Sequence, residues 1–243
     1  MLTIGGYGIM LGLGFYMAFL LLERELKLHK KDPELAYKIL LAVIPSGIIG
    51  AKLFHIIDNW SQFLSDPLGM LISGAGLTVY GGFILGILVC LIIIKKSGEN
   101  PLEILDFAAP AMALGYAIGR LGCHVSGDGC YGIETSSFLG IPYPNGIIPS
   151  TADVFPTPLF ESMFSFILVI ALLQIRKREL TPGLLFFIYF MLNGIARFSV
   201  EFIRINPTMA FGLTQAQIIA LGFFLTGLLG IILIHMRKNR SNV

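Results

Sequence analysis

The chain has 243 residues, 55% of them apolar and only 13% charged, with a mean hydropathy of +0.80. A water-soluble domain carries about 25% charged residues, so too little polar surface is present to clothe a soluble body of this size. The formal net charge of +2 comes with no basic stripe interleaved with aromatics, which excludes a nucleic-acid partner.

Long apolar blocks alternate with short charged clusters. Seven blocks can be read in order: 4–22, 39–57, 77–94, 104–123, 158–175, 184–203 and 213–234. Each approaches the ~20 apolar residues that cross a bilayer as a helix. The expected fold class is all-α, a polytopic membrane protein of about seven transmembrane helices. Residues 1–243 are expected to form a single transmembrane domain. No basic residue precedes the first block and no small-residue cleavage site closes it, so it reads as a span and not as a secretory signal.

Topology follows from the basic residues. Arg24, Lys27, Lys30, Lys31 and Lys38 follow block one, and Lys95 and Lys96 follow block three. Arg176, Lys177 and Arg178 follow block five, and Arg237, Lys238 and Arg240 follow block seven. The opposite loops, 58–76, 124–157 and 206–212, contain neither Lys nor Arg. The positive-inside rule predicts an N-terminus outside the cytoplasm and a C-terminus inside it. Loop 124–157, between spans four and five, then faces outward.

Four cations remain, within or at the outer ends of apolar blocks: Lys52, Arg120, Arg197 and Arg204. A charge at mid-bilayer costs at least ~2.5–3.5 kcal/mol on insertion scales, so it faces a partner or a wet cavity. Asp106, Asp128, Glu161 and Glu201 accompany these cations along the chain. Ion pairing or snorkelling would account for any one of them; four cations near one leaflet depth point to a site. In block six Asn193, Arg197, Glu201 and Arg204 fall at i, i+4, i+8 and i+11, one polar stripe on an apolar helix. Arg197 and Glu201 are expected to pair, leaving Arg204 for an anion. The planar guanidinium fork suits phosphate, and a phospholipid headgroup is the expected ligand.

A second constellation closes block four: Gly119-Arg120-Leu121-Gly122-Cys123-His124-Val125-Ser126-Gly127-Asp128-Gly129-Cys130-Tyr131-Gly132. Glycines permit tight turns and close approach to a ligand. Irregular backbone at membrane depth is tolerated where it is buried in protein or lines a cavity.

This stretch resembles the signature Gly-Arg-x-Gly-Asn-Phe-x-Asn-x-Glu-x-x-Gly of bacterial prolipoprotein diacylglyceryl transferases. Other segments resemble that family in the same order: Tyr7-Gly8, Gly50-Ala51-Lys52-Leu53-Phe54, Gly81-Gly82, Asp106 with Ala109-Pro110, and Pro156-Thr157-Pro158-Leu159-Phe160-Glu161. Arg197-Phe198-x-x-Glu201-Phe202-x-Arg204 and Gly212-Leu213-Thr214-Gln215-Ala216-Gln217 complete the series. Where the family has His before Gly-Gly this chain has Tyr80, and the signature Asn is Cys123. Asp128 stands nearest the signature Glu, Phe155 replaces a His, and Pro158 replaces a Gln.

The resemblance implies an enzyme of the bacterial cytoplasmic (inner) membrane that moves the diacylglyceryl group of phosphatidylglycerol to a lipobox cysteine, releasing glycerol phosphate. It implies no cofactor and no metal. The partners expected are phosphatidylglycerol, the signal-peptide segment of a prolipoprotein, and membrane lipids. Arg120, Arg197, His124, Asp128 and Tyr80 are expected to be catalytic. Tyr7, Lys52, Gly81, Gly82, Cys123, Glu161, Asn193, Glu201 and Arg204 are expected to bind substrate. A thiol nucleophile needs a base; His124, Asp128 and Tyr80 are the candidates, and His124 has the best intrinsic pKa.

Other readings stay open on the sequence. Cys123, His124, Asp128 and Cys130 could ligate a metal, although their spacing matches no common zinc pattern. Cys123 and Cys130 could form a disulfide in an oxidising compartment, while Cys90 lies mid-span and reads as packing. A lipid-binding or transport protein without chemistry would also carry intramembrane charges, though no internal repeat is visible. A relative using a different acceptor is equally open.

Overall fold

Apolar runs of this length, short of water, satisfy their backbone groups internally and so become helices. A computed structural model describes residues 3–72, 78–209 and 211–241; the side chains of residues 3, 4, 72, 79, 80 and 239–241 fall outside that description. The chain is nearly all helix: α1 (Thr3–Leu28), α2 (Glu34–Asp58), the short α3 (Trp60–Ser65) and α4 (Pro67–Ile72), and α5 (Val79–Lys96). Then come α6 (Pro101–Ser126), α7 (Thr157–Ile175), α8 (Leu184–Val200) with a 3-10 turn over Glu201–Ile203, and α9 (Gln215–Ser241). Six of these are long and apolar enough to cross a membrane, lying in α1, α2, α6, α7, α8 with its 3-10 turn, and α9. The third apolar block coincides with α5, although its predicted start at Leu77 lies outside the described residues. Ile9, Leu88, Ile167 and Leu233 lie exposed on these helices, as lipid-facing side chains do.

Two compact units are present. One comprises residues 23–104 and the other residues 1–22 with 105–243. In the first, α2 packs on α5 through glycines: a Cβ on Gly81 would overlap the Gly50 carbonyl, and one on Gly82 would stand 2.8 Å from the Gly47 oxygen. Small residues let membrane helices approach this closely. Lys31 of this unit bridges Glu99 at 2.7 Å and Glu103 at 3.0 Å.

The second unit has its core where α6, α7 and α8 meet: Ala109 and Ala113, Leu168, Val169 and Leu172, Leu185 and Tyr189. The two alanines of α6 leave room for the larger side chains opposite. Asp106, expected beside the intramembrane cations, instead stands at the start of α8, accepting the Gly183 N–H at 2.7 Å and the Phe186 N–H at 2.8 Å. A carboxylate there meets the unpaired N–H groups and the positive end of the helix dipole. At 1.5 Å per residue it lies about 21 Å along α6 from Arg120.

Two boundaries differ from the sequence expectation. Helix α6 continues past Cys123 to Ser126, whose hydroxyl donates to the Gly122 carbonyl at 2.7 Å, so His124 is helical and not in the loop. The segment between α6 and α7 also contains an antiparallel hairpin, β1 (Ile141–Tyr143) with β2 (Ser150–Val154), pairing Ile141 with Val154 and Tyr143 with Ser150. The connection passes through Pro144-Asn145-Gly146, residue types that favour turns.

Candidate active site

The site is built from the ends of α6 and α8 and the start of α7. Glu161, one turn into α7, has a side chain only 4% exposed and is the hub. Its Oε2 lies 2.7 Å from Arg120 Nε, and its Oε1 accepts from Arg197 Nη1 at 2.8 Å. The other tip of Arg197, Nη2, stands 2.9 Å from Glu201 Oε2. One guanidinium therefore bridges two carboxylates, which a planar fork does and a single ammonium does not. Arg120 also donates from Nε to the Tyr116 hydroxyl at 3.0 Å, with its guanidinium 5.0 Å from that ring's centroid. Tyr116 lies one turn earlier on the same helix face.

Arg204 completes the group differently from the sequence expectation. The helix tightens into the 3-10 turn and stops, and Arg204 is extended (φ −96°, ψ 157°), so the polar stripe does not continue regularly to it. Pro207 disfavours helix at Asn206 just beyond. Arg204 pairs as an isolated bridge with Gly132 of the loop between α6 and α7. Its side chain, 9% exposed, reaches within 3.9 Å of Glu161 and 3.7 Å of Glu201. Among the described residues its buried Nε and Nη1 make no hydrogen bond. Three guanidiniums thus face two carboxylates, an excess of one positive charge across five largely buried side chains. Burial makes such an excess costly unless an anion completes it.

Glu201 is held from behind. Its Oε1 accepts from Thr214 Oγ1 at 2.9 Å and from the Asn206 side-chain amide. Ser162, beside Glu161, donates to the Ala117 carbonyl at 2.9 Å and ties α7 to α6.

Beyond Arg120, the C-terminal end of α6 forms a rim. His124, one turn further along, shares a 2.8 Å hydrogen bond through Nδ1 with the Tyr143 hydroxyl, the rings meeting edge to face. Burial, with the charge of Asp128 next, pushes the Tyr143 phenol up to about 12, so it stays protonated. Cys123, Asp128 and Cys130 converge, one ligand-capable atom of each lying within 4.8 Å of the others, and both thiols are unbridged. The Cys123 thiol donating to Cys130 holds the latter below the usual thiol range, with Arg204 contributing more weakly. Tyr7 of α1 is in contact range here: a Cβ on Gly122 would lie 3.4 Å from its ring.

Of the residues singled out in the sequence, the structure thus gathers Arg120, Glu161, Arg197, Glu201 and Arg204 into the hub. It gathers Tyr7, Cys123, His124 and Asp128 at the rim. Asn193 lies one turn below Arg197 but its amide reaches Tyr189, at 3.5 Å. Lys52, Gly81 and Gly82 belong to the other unit, where the two glycines serve the packing of α2 on α5. The Tyr80 side chain lies outside the described residues. Sequence reasoning gave no site role to Tyr116, Tyr143, Asn206 or Thr214, the last quoted only for the resemblance. The i−4 spacing from Arg120 was a usable signal for Tyr116; the others reach the site only through the folded chain.

The family described as prolipoprotein diacylglyceryl transferase matches residues 1–233. Among similar proteins, a phosphatidylglycerol–prolipoprotein diacylglyceryl transferase of Leptospira interrogans is 36% identical over 84% of this chain and 72% of its own length. One of Clostridium perfringens, named as transferase 2, is 36% identical over 98% of this chain and 92% of its own. One of Clostridium novyi is 30% identical over 99% and 95%. Near end-to-end matches of this kind, together with apolar spans and a buried arginine site, mean that the chain belongs to the prolipoprotein diacylglyceryl transferase family of multi-pass membrane enzymes.

Proposed function

We propose that this protein transfers the diacylglyceryl group of phosphatidylglycerol to the thiol of a lipobox cysteine in a prolipoprotein, with Arg120, Arg197 and Arg204 as the phosphate clamp. The observation that carries the residue assignment is Arg204, which brings the one positive charge in excess to the cluster together with two buried guanidinium nitrogens that make no hydrogen bond among the described residues. A phosphodiester oxygen in front of them would satisfy both donors and the charge together.

The acceptor thiolate attacks the glyceryl CH2 carbon bound to the phosphate oxygen. A C–S bond forms, the C–O bond breaks, and its electron pair leaves with glycerol phosphate. Negative charge grows on the departing phosphate, and fixed guanidiniums that bind it more tightly as it grows lower the barrier. His124 takes the thiol proton. In the tautomer whose Nδ1–H donates to the Tyr143 oxygen across the 2.8 Å contact, Nε2 presents a lone pair. Glu161 and Glu201 position Arg120 and Arg197 and do not touch the reacting atoms.

The membrane arrangement follows from the basic loops. Seven spans, with α5 as the third, place the N-terminus outside, the C-terminus inside and the rim on the outer face of the inner membrane. Residues 124–157 then form the outward segment of a single transmembrane domain.

Purified protein in detergent, given headgroup-labelled phosphatidylglycerol and a lipobox peptide, should release labelled glycerol phosphate and yield lipidated peptide in equal amounts. Lipid binding with neither product would replace the transferase reading with that of a lipid-binding protein.

A further inference from the structure

We propose that Cys123, Asp128 and Cys130 form a zinc site at the rim, with three protein ligands and an open fourth position. The three donors are brought together by a turn and not by sequence spacing. Gly127 (φ +56°) and Gly129 (φ +84°) are both left-handed and return the chain after α6 so that Asp128 and Cys130 fold back onto Cys123. A Cβ at Gly127 would lie 2.7 Å from the Gly146 Cα, and one at Gly129 would lie 2.6 Å from the Ile148 side chain. The turn is therefore closely covered, and its glycines have no ready substitute.

The donor atoms all lie within 4.8 Å of one another. Ligands about 2.3 Å from a tetrahedral zinc stand about 3.8 Å apart, so a small contraction completes the cage. Each ligand is also oriented from behind, as metal ligands are. The Cys130 N–H donates to Asp128 Oδ1 at 3.1 Å, leaving Oδ2 to turn inward. The Cys130 carbonyl accepts from Thr157 Oγ1 at 2.6 Å at the start of α7, and the Cys123 carbonyl accepts the Gly127 N–H at 3.0 Å. Two sulfur donors select a thiophilic cation over calcium or magnesium, and a mixed sulfur and oxygen set suits zinc.

The site sits where it can hold the hub. Two residues after Cys130, Gly132 pairs with Arg204, and the Ile133 N–H donates to the Ile203 carbonyl at 2.8 Å. Metal at the turn would fasten the end of α6 to the segment that sets the backbone of Arg204. This inference concerns the metal alone and does not depend on the transfer reaction.

The test uses the full chain, purified in detergent under reductant. Elemental analysis should find one zinc per chain, and Cys90→Ser should retain it. Cys123→Ser with Cys130→Ser should lose it, and Asp128→Asn should weaken retention at least tenfold against a chelator. Chelator-stripped wild type titrated with Co2+ should show sulfur-to-cobalt charge transfer and the visible bands of a tetrahedral ion. Rezincing at hundredfold excess over Kd should raise Tm by about 5–10 °C. The cobalt titration reads wild type, so it decides even if the double variant fails to fold. Wild type without zinc and without a cobalt spectrum, zinc retained in the double variant, or a Cys123–Cys130 disulfide that persists under reductant would each overturn the site.

Discussion

Glu161 and Glu201 are fixed by arginines from two helices and, for Glu201, by a hydroxyl and an amide from the chain beyond. His124, Asp128 and Cys130 are held by a loop: one tyrosine hydroxyl, one backbone N–H and two left-handed glycines. The first arrangement is over-determined, since each carboxylate has several partners and each bridging arginine serves more than one group. The second can move by a loop adjustment without exposing a charge. The contrast divides the labour. On the proposed reaction, the hub holds still while charge develops on the phosphate, and the rim admits a peptide thiol and lets a thioether product leave. Damage to the hub should therefore cost turnover and folding together, and loss of His124 at the rim should cost turnover with little change in stability.

The sharpest way to break that division is at Arg197. Arg197→Ala removes the bridge between Glu161 and Glu201 and should lower kcat/KM by about 100-fold or more, the scale for losing one preorganised charge-stabilising donor. Arg120→Ala should behave similarly. Both should also reduce the yield of folded protein, because breaking a buried ion pair costs about 3–5 kcal/mol. Arg197→Lys should rescue poorly, since one ammonium cannot reproduce the 2.8 Å and 2.9 Å contacts to two separate carboxylates. An Arg197→Ala protein that folds and turns over normally would confine that arginine to structure.

His124→Ala tests the rim. General-base loss costs about 100-fold or somewhat more at neutral pH, and the thermal midpoint should stay near that of wild type. The defect has a sign in pH. A free cysteine thiol titrates near 8.5, so raising the pH supplies thiolate without help and the ratio of wild-type to variant rates should narrow. A defect constant from pH 6.5 to 9 would remove His124 as the base.

How much of this was legible follows the same division. The spans were readable, because a bilayer imposes length and apolarity on every helix. The pairing of Arg197 with Glu201 was readable from i,i+4 spacing, and the charge of the hub from the cost of burying it. Asp106 was misplaced beside the cations because charge alone does not tell a helix cap from a site; the N–H groups it serves belong to Gly183 and Phe186, far along the chain. Arg204 was read as continuing a helical stripe that in fact ends. The rim was least legible, since its geometry depends on glycine dihedrals and a hairpin that no periodicity announces.

Gly127→Ala is expected to give a smaller, purely local effect. A non-glycine residue at φ +56° costs about 1–3 kcal/mol, and the added carbon meets Gly146 Cα at 2.7 Å. Tm should fall by about 2–12 °C and KM for the peptide should rise, with kcat kept within a few-fold. A fall in kcat with KM unchanged would put the turn inside the hub's rigid frame, contrary to the division drawn above.

The smallest effect expected is at Thr214, where the hub reaches furthest from the chemistry. Its hydroxyl donates to Glu201 Oε1 at 2.9 Å and accepts the Gln217 N–H at 3.2 Å, while its own N–H donates to Gln217 Oε1 at 3.0 Å. Thr214-Gln215-Ala216-Gln217 is thus a reciprocal cap on α9, readable in the sequence as a capping box. The same oxygen that starts the helix fixes the carboxylate that holds Arg197. Thr214→Val keeps the shape and removes both bonds, each worth about 1 kcal/mol. The cap's share should appear as a lower Tm. The share reaching Arg197 through Glu201 should appear as a fall in kcat of about fivefold at most, because about 1.4 kcal/mol is needed for tenfold. Thr214→Ser restores the hydroxyl and should recover both readouts. A valine variant with a lower Tm and unchanged kcat would show that Glu201 is held well enough by Arg197 and Asn206, and that the over-determined hub stops one residue short of Thr214.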